Sequence, residues 1–395
     1  MRLNFGSASA MRSGLYHAHK RAEAGLRTTF TMRRTALAAA ILLVSLQSLF
    51  GGTIAKIGTL TTPRDYATTT LLPDGRVLVA GGTSTTVEVF DPQRATSATV
   101  AGQTTLPLTR HAATRLVDGR VLITGGGYRT DGRPSFGHYG DREVRTYEPA
   151  ANALALRAQM AEERLSHRAT LLRDGRVLIS GGYYADLGGF HYWKNDVFHA
   201  EIFDPATNGV RTIASLTAGR VEHTATLLHD GRVLIAGGGP ASAELFDPAT
   251  ETFTAIGDMN AARADHTATL LEDGRVLIVG GTELWDAPAA EIFDPHTQTF
   301  TAVSADIGLR RNHTATLLRN GMVLIAGGTD DVVVYDPETD AIIERLPLPG
   351  GALQNHDATL LWDGSVLIAG GRRDLTPSAD VFRYKRTPLR PRAVR

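Results

Sequence analysis

The chain has 395 residues, and its 41 Lys and Arg are balanced by 41 Asp and Glu. No net field is available to hold nucleic acid, so that class of partner is set aside. There is no cysteine, which excludes disulfides, thiolate sites and any cofactor built on a cysteine side chain.

The amino terminus comes first in chain order. Residues 1–31 form a basic leader. Met32-Arg33-Arg34 then precedes an apolar stretch that includes Ala36 to Val44. Basic residues followed by a short apolar run are the pattern of a secretory signal peptide, with Met32 a candidate true start. From Thr35 to Phe50 the run is about 16 residues, short of the roughly 20 a spanning helix wants. An uncleaved anchor is the alternative, and membrane contact is expected only there. Either way residues 1–52 are a leader, and the remainder is expected to be secreted or periplasmic.

From residue 53 onward the chain repeats itself. A phrase close to His-Thr-Ala-Thr-Leu-Leu-x-Asp-Gly-Arg-Val-Leu-Ile-Ala-Gly-Gly recurs seven times, anchored at Gly75, Gly119, Gly175, Gly231, Gly274, Gly321 and Gly364. The spacings of 44, 56, 56, 43, 47 and 43 residues are those of propeller blades. The copy around Gly274 reads as four strands. His266 to Leu271 leads into a two-residue Asp273-Gly274 turn, where tolerance of positive φ is needed. Val276 to Val279 is apolar without alternation, as for a strand covered on both faces, and Gly280-Gly281 marks a place where no Cβ fits. Ala290 to Phe293 ends at Asp294-Pro295, because proline cannot donate to a continuing ladder. Thr299 to Val303 is the last. A four-stranded sheet with two apolar faces must stack on others, and seven close into a ring.

The final copy supplies Asp357 to Leu361, Ser365 to Ala369 and Ala379 to Tyr384, then runs into a basic, proline-containing tail at 385–395. Residues 53 to 60, ahead of the first copy, resemble a fourth strand. They are expected to complete the seventh blade and to remove an open edge.

The Gly-Gly doublets, together with the aromatic-Asp-Pro triplets Phe203-Asp204-Pro205, Phe246-Asp247-Pro248, Phe293-Asp294-Pro295 and Tyr335-Asp336-Pro337, make residues 53 to 384 resemble kelch repeats. The usual fourth-strand tryptophan is here Phe253, Phe300 or an aliphatic residue. The resemblance implies an all-β, seven-bladed propeller of four antiparallel strands per blade. Galactose-oxidase-like copper enzymes share that ring, but their radical cofactor is a tyrosine crosslinked to cysteine, so that chemistry has no counterpart in a chain without cysteine. The resemblance leaves function open, since propellers host binders and enzymes alike.

Candidate functional residues fall in two groups. Long insertions follow Gly125-Gly126 and Gly181-Gly182, and carry Tyr128, Arg133, Tyr139, Tyr183, Tyr184, Tyr192 and Trp193. Aromatic-rich loops of this kind suit sugars or protein partners. The second group lies before the first strands. His111, His167, His223, His266, His313 and His356 each stand eight residues before the turn glycine, with Ala67 breaking the series. Six repeats argue for a hydrogen bond to the neighbouring blade's backbone, because equivalent atoms on stacked sheets lie too far apart for one zinc ion. Three positions before these histidines stand Arg164, Arg220, Arg263 and Arg310, matched by Arg64. The resemblance implies that such arginines contact acidic ligands at the channel mouth; pairing with Glu163, Glu222, Asp265 or Asp306 is the alternative. The resulting expectation is a monomeric recognition module, without cofactor or metal, for a glycan or an extracellular protein. The alternative is a sugar-active enzyme resembling a sialic-acid mutarotase, with Glu162, Glu163 or Glu222 as acid or base.

Overall fold

The computed structural model describes residues 51–129, 138–186, 193–282, 284 and 286–386. The chain divides into a unit Thr53–Lys385 and a second unit, Met1–Gly52 with Arg386–Arg395. The leader, the apolar stretch from Ala36 to Val44, and most of the tail lie outside the described residues. Among those residues no helix is long and apolar enough to cross a membrane.

Thr53–Lys385 is a seven-bladed propeller of four-stranded antiparallel sheets. Blade 1 runs from Ala67–Leu71 to Thr96–Thr99, blade 2 from Ala112–Arg115 to Ala153–Gln159, and blade 3 from Arg168–Leu171 to Gly209–Ser215. Blade 4 runs from Thr224–Leu227 to Thr252–Ala255, blade 5 from Thr267–Leu270 to Thr299–Ala302, and blade 6 from Thr314–Leu317 to Ala341–Pro347. Blade 7 is made of Gln354–Leu360, Val366–Arg373, Thr376–Arg386 and, on its outer side, Gly52–Arg64. The ring is therefore closed by the amino-terminal strand, as the spare strand at 53 to 60 predicts. Its inner strands touch in a complete circle, blade 7 meeting blade 1.

The second strands carry the core. Val233–Ala236 and Val276–Val279 are buried at every position, because each sheet is covered on both faces by its neighbours. Phe293 is wholly buried, and its ring centroid lies 4.9 Å from that of Phe300, which takes the place of the usual tryptophan.

Two local expectations sharpen. At the Asp-Gly hairpins, Leu271 N–H donates to Arg275 O at 2.8 Å and Gly274 N–H to Leu271 O at 3.0 Å. The loop is thus three residues, Glu272-Asp273-Gly274, rather than the two-residue turn expected. Only Gly274 takes positive φ (+89°), the left-handed third position that follows a type I turn in such loops. Asp273 acts as a cap, its Oδ1 accepting from Arg275 N–H at 3.0 Å. The diglycines do mark close approach. A Cβ on Gly181 would lie 2.6 Å from Arg220 O and 2.7 Å from His223 Cε1 of the next blade, at a φ of +58°.

Candidate active site at the channel mouth

The repeated arginines are built into the blades. Arg220 is fully buried; its Nε donates to Glu244 Oε1 at 2.6 Å and its Nη1 to Gly237 O at 2.9 Å. The other Glu244 oxygen accepts from Thr217 N–H at 2.8 Å. The same brace joins Arg64 to Glu88, Arg164 to Glu201 and Arg263 to Glu291, while Arg310 pairs with Asp331. None of Glu163, Glu222, Asp265 or Asp306, the partners expected from sequence, fills this role. Each arginine ties the loop before the first strand to the third strand and to the first glycine of the doublet. The donors expected at the channel mouth are thereby spent inside the sheet.

Blades without the arginine also lack the glutamate. Blade 7 has Leu353 and Phe382 at the two positions, and blade 2 has Leu108 with Arg145, which turns to Asp141 at 2.9 Å. Breaking one pair leaves a buried charge without its partner. Glu244→Ala should therefore lower stability by about 3–5 kcal/mol, and adding Arg220→Leu, with phenylalanine in place of Glu244, should recover most of that loss. Denaturant unfolding of both variants checks this; an undiminished loss in the double variant would contradict it.

The histidines link the blades. His111 Nε2 lies 2.8 Å from Thr68 Oγ1, His167 Nε2 2.8 Å from Thr124 Oγ1, and His223 Nε2 3.0 Å from Ser180 Oγ. His266, His313 and His356 meet Thr224, Thr267 and Thr314 in the same way. The partner in every case is a hydroxyl of the preceding blade; the backbone contact expected there is made in addition by His266 to Ala236 and by His356 to Ala326. Burial pushes all six pKa values down: His111 and His356 to about 4, His266 and His313 to about 3, and His167 and His223 well below the usual value.

Between each arginine and histidine position stands a residue that sequence reasoning did not read as a series, naming only Glu222, as acid or base, and Asp265, as an arginine partner. Tyr66, Arg110, Ser166, Glu222, Asp265, Asn312 and Asn355 occupy this place, one per blade, with φ between +52° and +61°. Left-handed backbone is acceptable for Asn and Asp but costs the other side chains roughly 1 kcal/mol each. Backbone hydrogen bonds run from one to the next around the axis: Ser166 N–H to Arg110 O at 2.9 Å, Glu222 N–H to Ser166 O at 3.2 Å, and Tyr66 N–H to Asn355 O at 3.1 Å. These residues rim a cavity of about 390 Å³ that also takes in Arg168, Thr224, Thr267, Thr314 and Asp357.

The rim is polar and charged. Arg110 ion-pairs with Glu222 across blade 3, donates to Ser166 Oγ at 3.1 Å and stacks 5.0 Å from the centroid of the Tyr66 ring. Burial and the neighbouring Glu222 charge raise Asp265 to about 6, although Arg110 and Arg311, the latter 3.8 Å away, pull it down. Desolvation also raises Asp65 and Asp357, the second of which accepts from Thr69 N–H at 2.6 Å.

The two insertions rise beside this rim. Gly127–Arg129 pairs with His138–Gly140, aligning Tyr128 with Tyr139, and Tyr183–Asp186 pairs with Trp193–Asp196. Their bases bridge to Thr109 and Leu165, the residues just before Arg110 and Ser166. Tyr183 is buried in a small cluster with Leu165 and Val221, and Tyr184 is partly buried. Arg133 and Tyr192 lie outside the described residues.

No family model matches the chain, and no curated protein does. Among solved structures, the chain is similar to a fungal alcohol oxidase of the AA5 family in complex with copper. The TM-score is 0.66 at 14% identity, over 86% of this chain and 76% of that one. The likeness is one of fold. Residues suited to copper do not assemble here: the rim holds a single tyrosine, the neighbouring histidines spend Nε2 on hydroxyls, and among the described residues no group of three or more His, Asp or Glu could hold a metal ion.

Proposed function

We propose that the channel mouth recognises a small polyhydroxylated ligand of the sugar class, and that the protein does so outside the cytoplasm. One observation carries this reading. Between arginine and histidine positions that mostly repeat from blade to blade, the rim position holds Tyr, Arg, Ser, Glu, Asp and Asn, and, unlike the equally varied left-handed residues of the outer hairpins such as Ala95, Asn208, Glu251 and Gln298, all of them line one cavity. A need shared by all blades is met by a repeated residue; a dissimilar set of donors and acceptors facing one cavity suits a single unsymmetrical ligand. The aromatic-bearing hairpins of blades 2 and 3 stand beside it. The apolar stretch from Ala36 to Val44 supports the extracytoplasmic placement.

Asparagine, which blades 6 and 7 already use, supplies the test. Replacing Tyr66, Arg110 and Glu222 by asparagine together should leave thermal stability unchanged or raise it by up to about 1 kcal/mol per residue, while abolishing sugar binding. Thermal shift and calorimetry against a panel of sugars measure both. A wild-type protein silent across the panel, or a triple variant that binds as before, would sink the proposal.

A second reading follows from Asp265. A carboxyl titrating near pH 6 beside a carboxylate and an arginine is placed to exchange protons with a sugar hydroxyl or ring oxygen. Faster mutarotation of a bound sugar, lost in Asp265→Asn with binding retained, would establish an enzyme.

A further inference from the structure

One level below the rim, the residue after each histidine position is threonine in blades 1, 4, 5 and 6 (Thr68, Thr224, Thr267 and Thr314), and the hydroxyl of each hydrogen-bonds with the next blade's histidine. Blade 3 has Arg168 instead. Its threonine's task has been moved to the neighbouring strand, where Ser180 bonds His223 at 3.0 Å. The equivalent residue is Ala80, Ala236 or Ala326 in blades 1, 4 and 6, none of which has a side-chain hydroxyl. A second change thus preserves the blade contact while an arginine is admitted to the channel. Blade 2 makes the same exchange through Thr124, but with Ala112, which leaves space at that level beside Arg168. Blade 7 has Asp357, which faces a blade with no histidine.

Among the described residues, Arg168 is the cavity-lining cation with no carboxylate in direct contact: Asp265, Glu222 and Asp357 act on it only through space, against a burial that disfavours its charge. Arg110 is paired with Glu222, Arg311 stands by Asp265 and Arg372 lies 3.9 Å from Asp65. Among the described residues, the Arg168 guanidinium makes one hydrogen bond, a long one of 3.5 Å to His167 O, and has no carboxylate within ion-pair distance. Asp357 is held by the backbone N–H groups of Thr69 and Ala358. A partly buried cation with open donors costs solvation free energy that a counter-charge would restore.

We infer that Arg168 seats an oxyanion of the ligand, so that the channel takes an acidic sugar, carboxylated or phosphorylated, rather than a neutral one. The inference rests on the sugar-class reading above. The guanidinium fork presents parallel donors that fit a carboxylate or phosphate edge, leaving the hydroxyls to the rim.

Matched probes separate the cases: glucose, glucuronate and glucose 6-phosphate, titrated calorimetrically into the full chain and into Arg168→Thr at constant ionic strength. Threonine is the residue four other blades carry, so the variant should fold, which its melting curve verifies. At least one of the two acids should bind wild type about tenfold or more tightly than glucose, and Arg168→Thr should abolish that preference while leaving weak binding of glucose. Preference for glucuronate identifies a carboxylate, and preference for the 6-phosphate a phosphate. Equal binding of all three, or a preference that survives in Arg168→Thr, would overturn the inference yet leave the sugar site standing; no binding of any probe would overturn both.

Discussion

Acidification from pH 7 to pH 4 should unfold the propeller, with most of the loss of stability beginning as the solution passes below pH 6.5. The six buried histidines are neutral in the folded ring, their pKa values lowered to about 4 at His111 and His356, to about 3 at His266 and His313, and well below the usual value at His167 and His223. In the unfolded chain they titrate near 6.5. Their contribution is therefore complete above pH 6.5 and is lost as pH falls toward the folded pKa, because the unfolded state then binds more protons. Each histidine removes about 1.4 kcal/mol per pH unit in that window, and six acting together remove about 8. Asp265, Asp65 and Asp357 work in the opposite sense. Their raised pKa values let the folded state take up protons first, offsetting about 1.4 kcal/mol per pH unit each over narrower ranges. The net slope still exceeds what a domain stable by about 5–15 kcal/mol can sustain for two to three pH units. Urea unfolding at pH 7, 6, 5 and 4 reads the slope directly. A midpoint that stays constant down to pH 4.5 would show that the histidines are not held neutral.

Repetition explains what the sequence disclosed. Blade number, strand bounds close to those observed, and the shared seventh blade all follow from positions every copy must fill in the same way. The histidines were legible for that reason, since each blade needs a tie to the one before. The braces were only half legible. Arg164, Arg220, Arg263 and Arg310 were taken with acidic residues nearby in sequence, while their partners Glu201, Glu244, Glu291 and Asp331 come from the third strand, 21 to 37 residues away. The signal was present, because blades 2 and 7 lack the arginine and the glutamate together. Glu222 and Asp265 were named singly, but the rim as a column was overlooked because attention went to what recurs and to long loops. A channel has one axis and one ligand, so its specific residues are those that differ between otherwise matching copies, and Tyr66 through Asn355 form that column. Arg168 was hidden likewise, as a departure from threonine compensated by Ser180.

Removing residues 52 to 60 should have the largest structural effect of any short deletion. This segment is the outer strand of blade 7, hydrogen-bonded along Thr376–Arg386, with Lys56 paired to Asp380 at 2.5 Å. Leu60 and Ile57 pack with the cluster shared by blades 7 and 1, and Ile54 packs against that of blades 6 and 7. Losing those three side chains forfeits roughly 5 kcal/mol or more of apolar burial. The deletion also uncovers a row of unpaired backbone groups along Thr376–Arg386, a template for pairing with another chain. Arg64 and its brace to Glu88 remain, so blade 1 keeps its inner support. The truncated protein should melt well below the parent and self-associate in a concentration-dependent way by analytical ultracentrifugation. A peptide of residues 52–60 added in trans should reverse both changes by refilling the vacant edge. A truncation that stays monomeric at the parent's melting temperature would mean that the ring is held by its inner strands and histidine ties alone, with the shared blade dispensable.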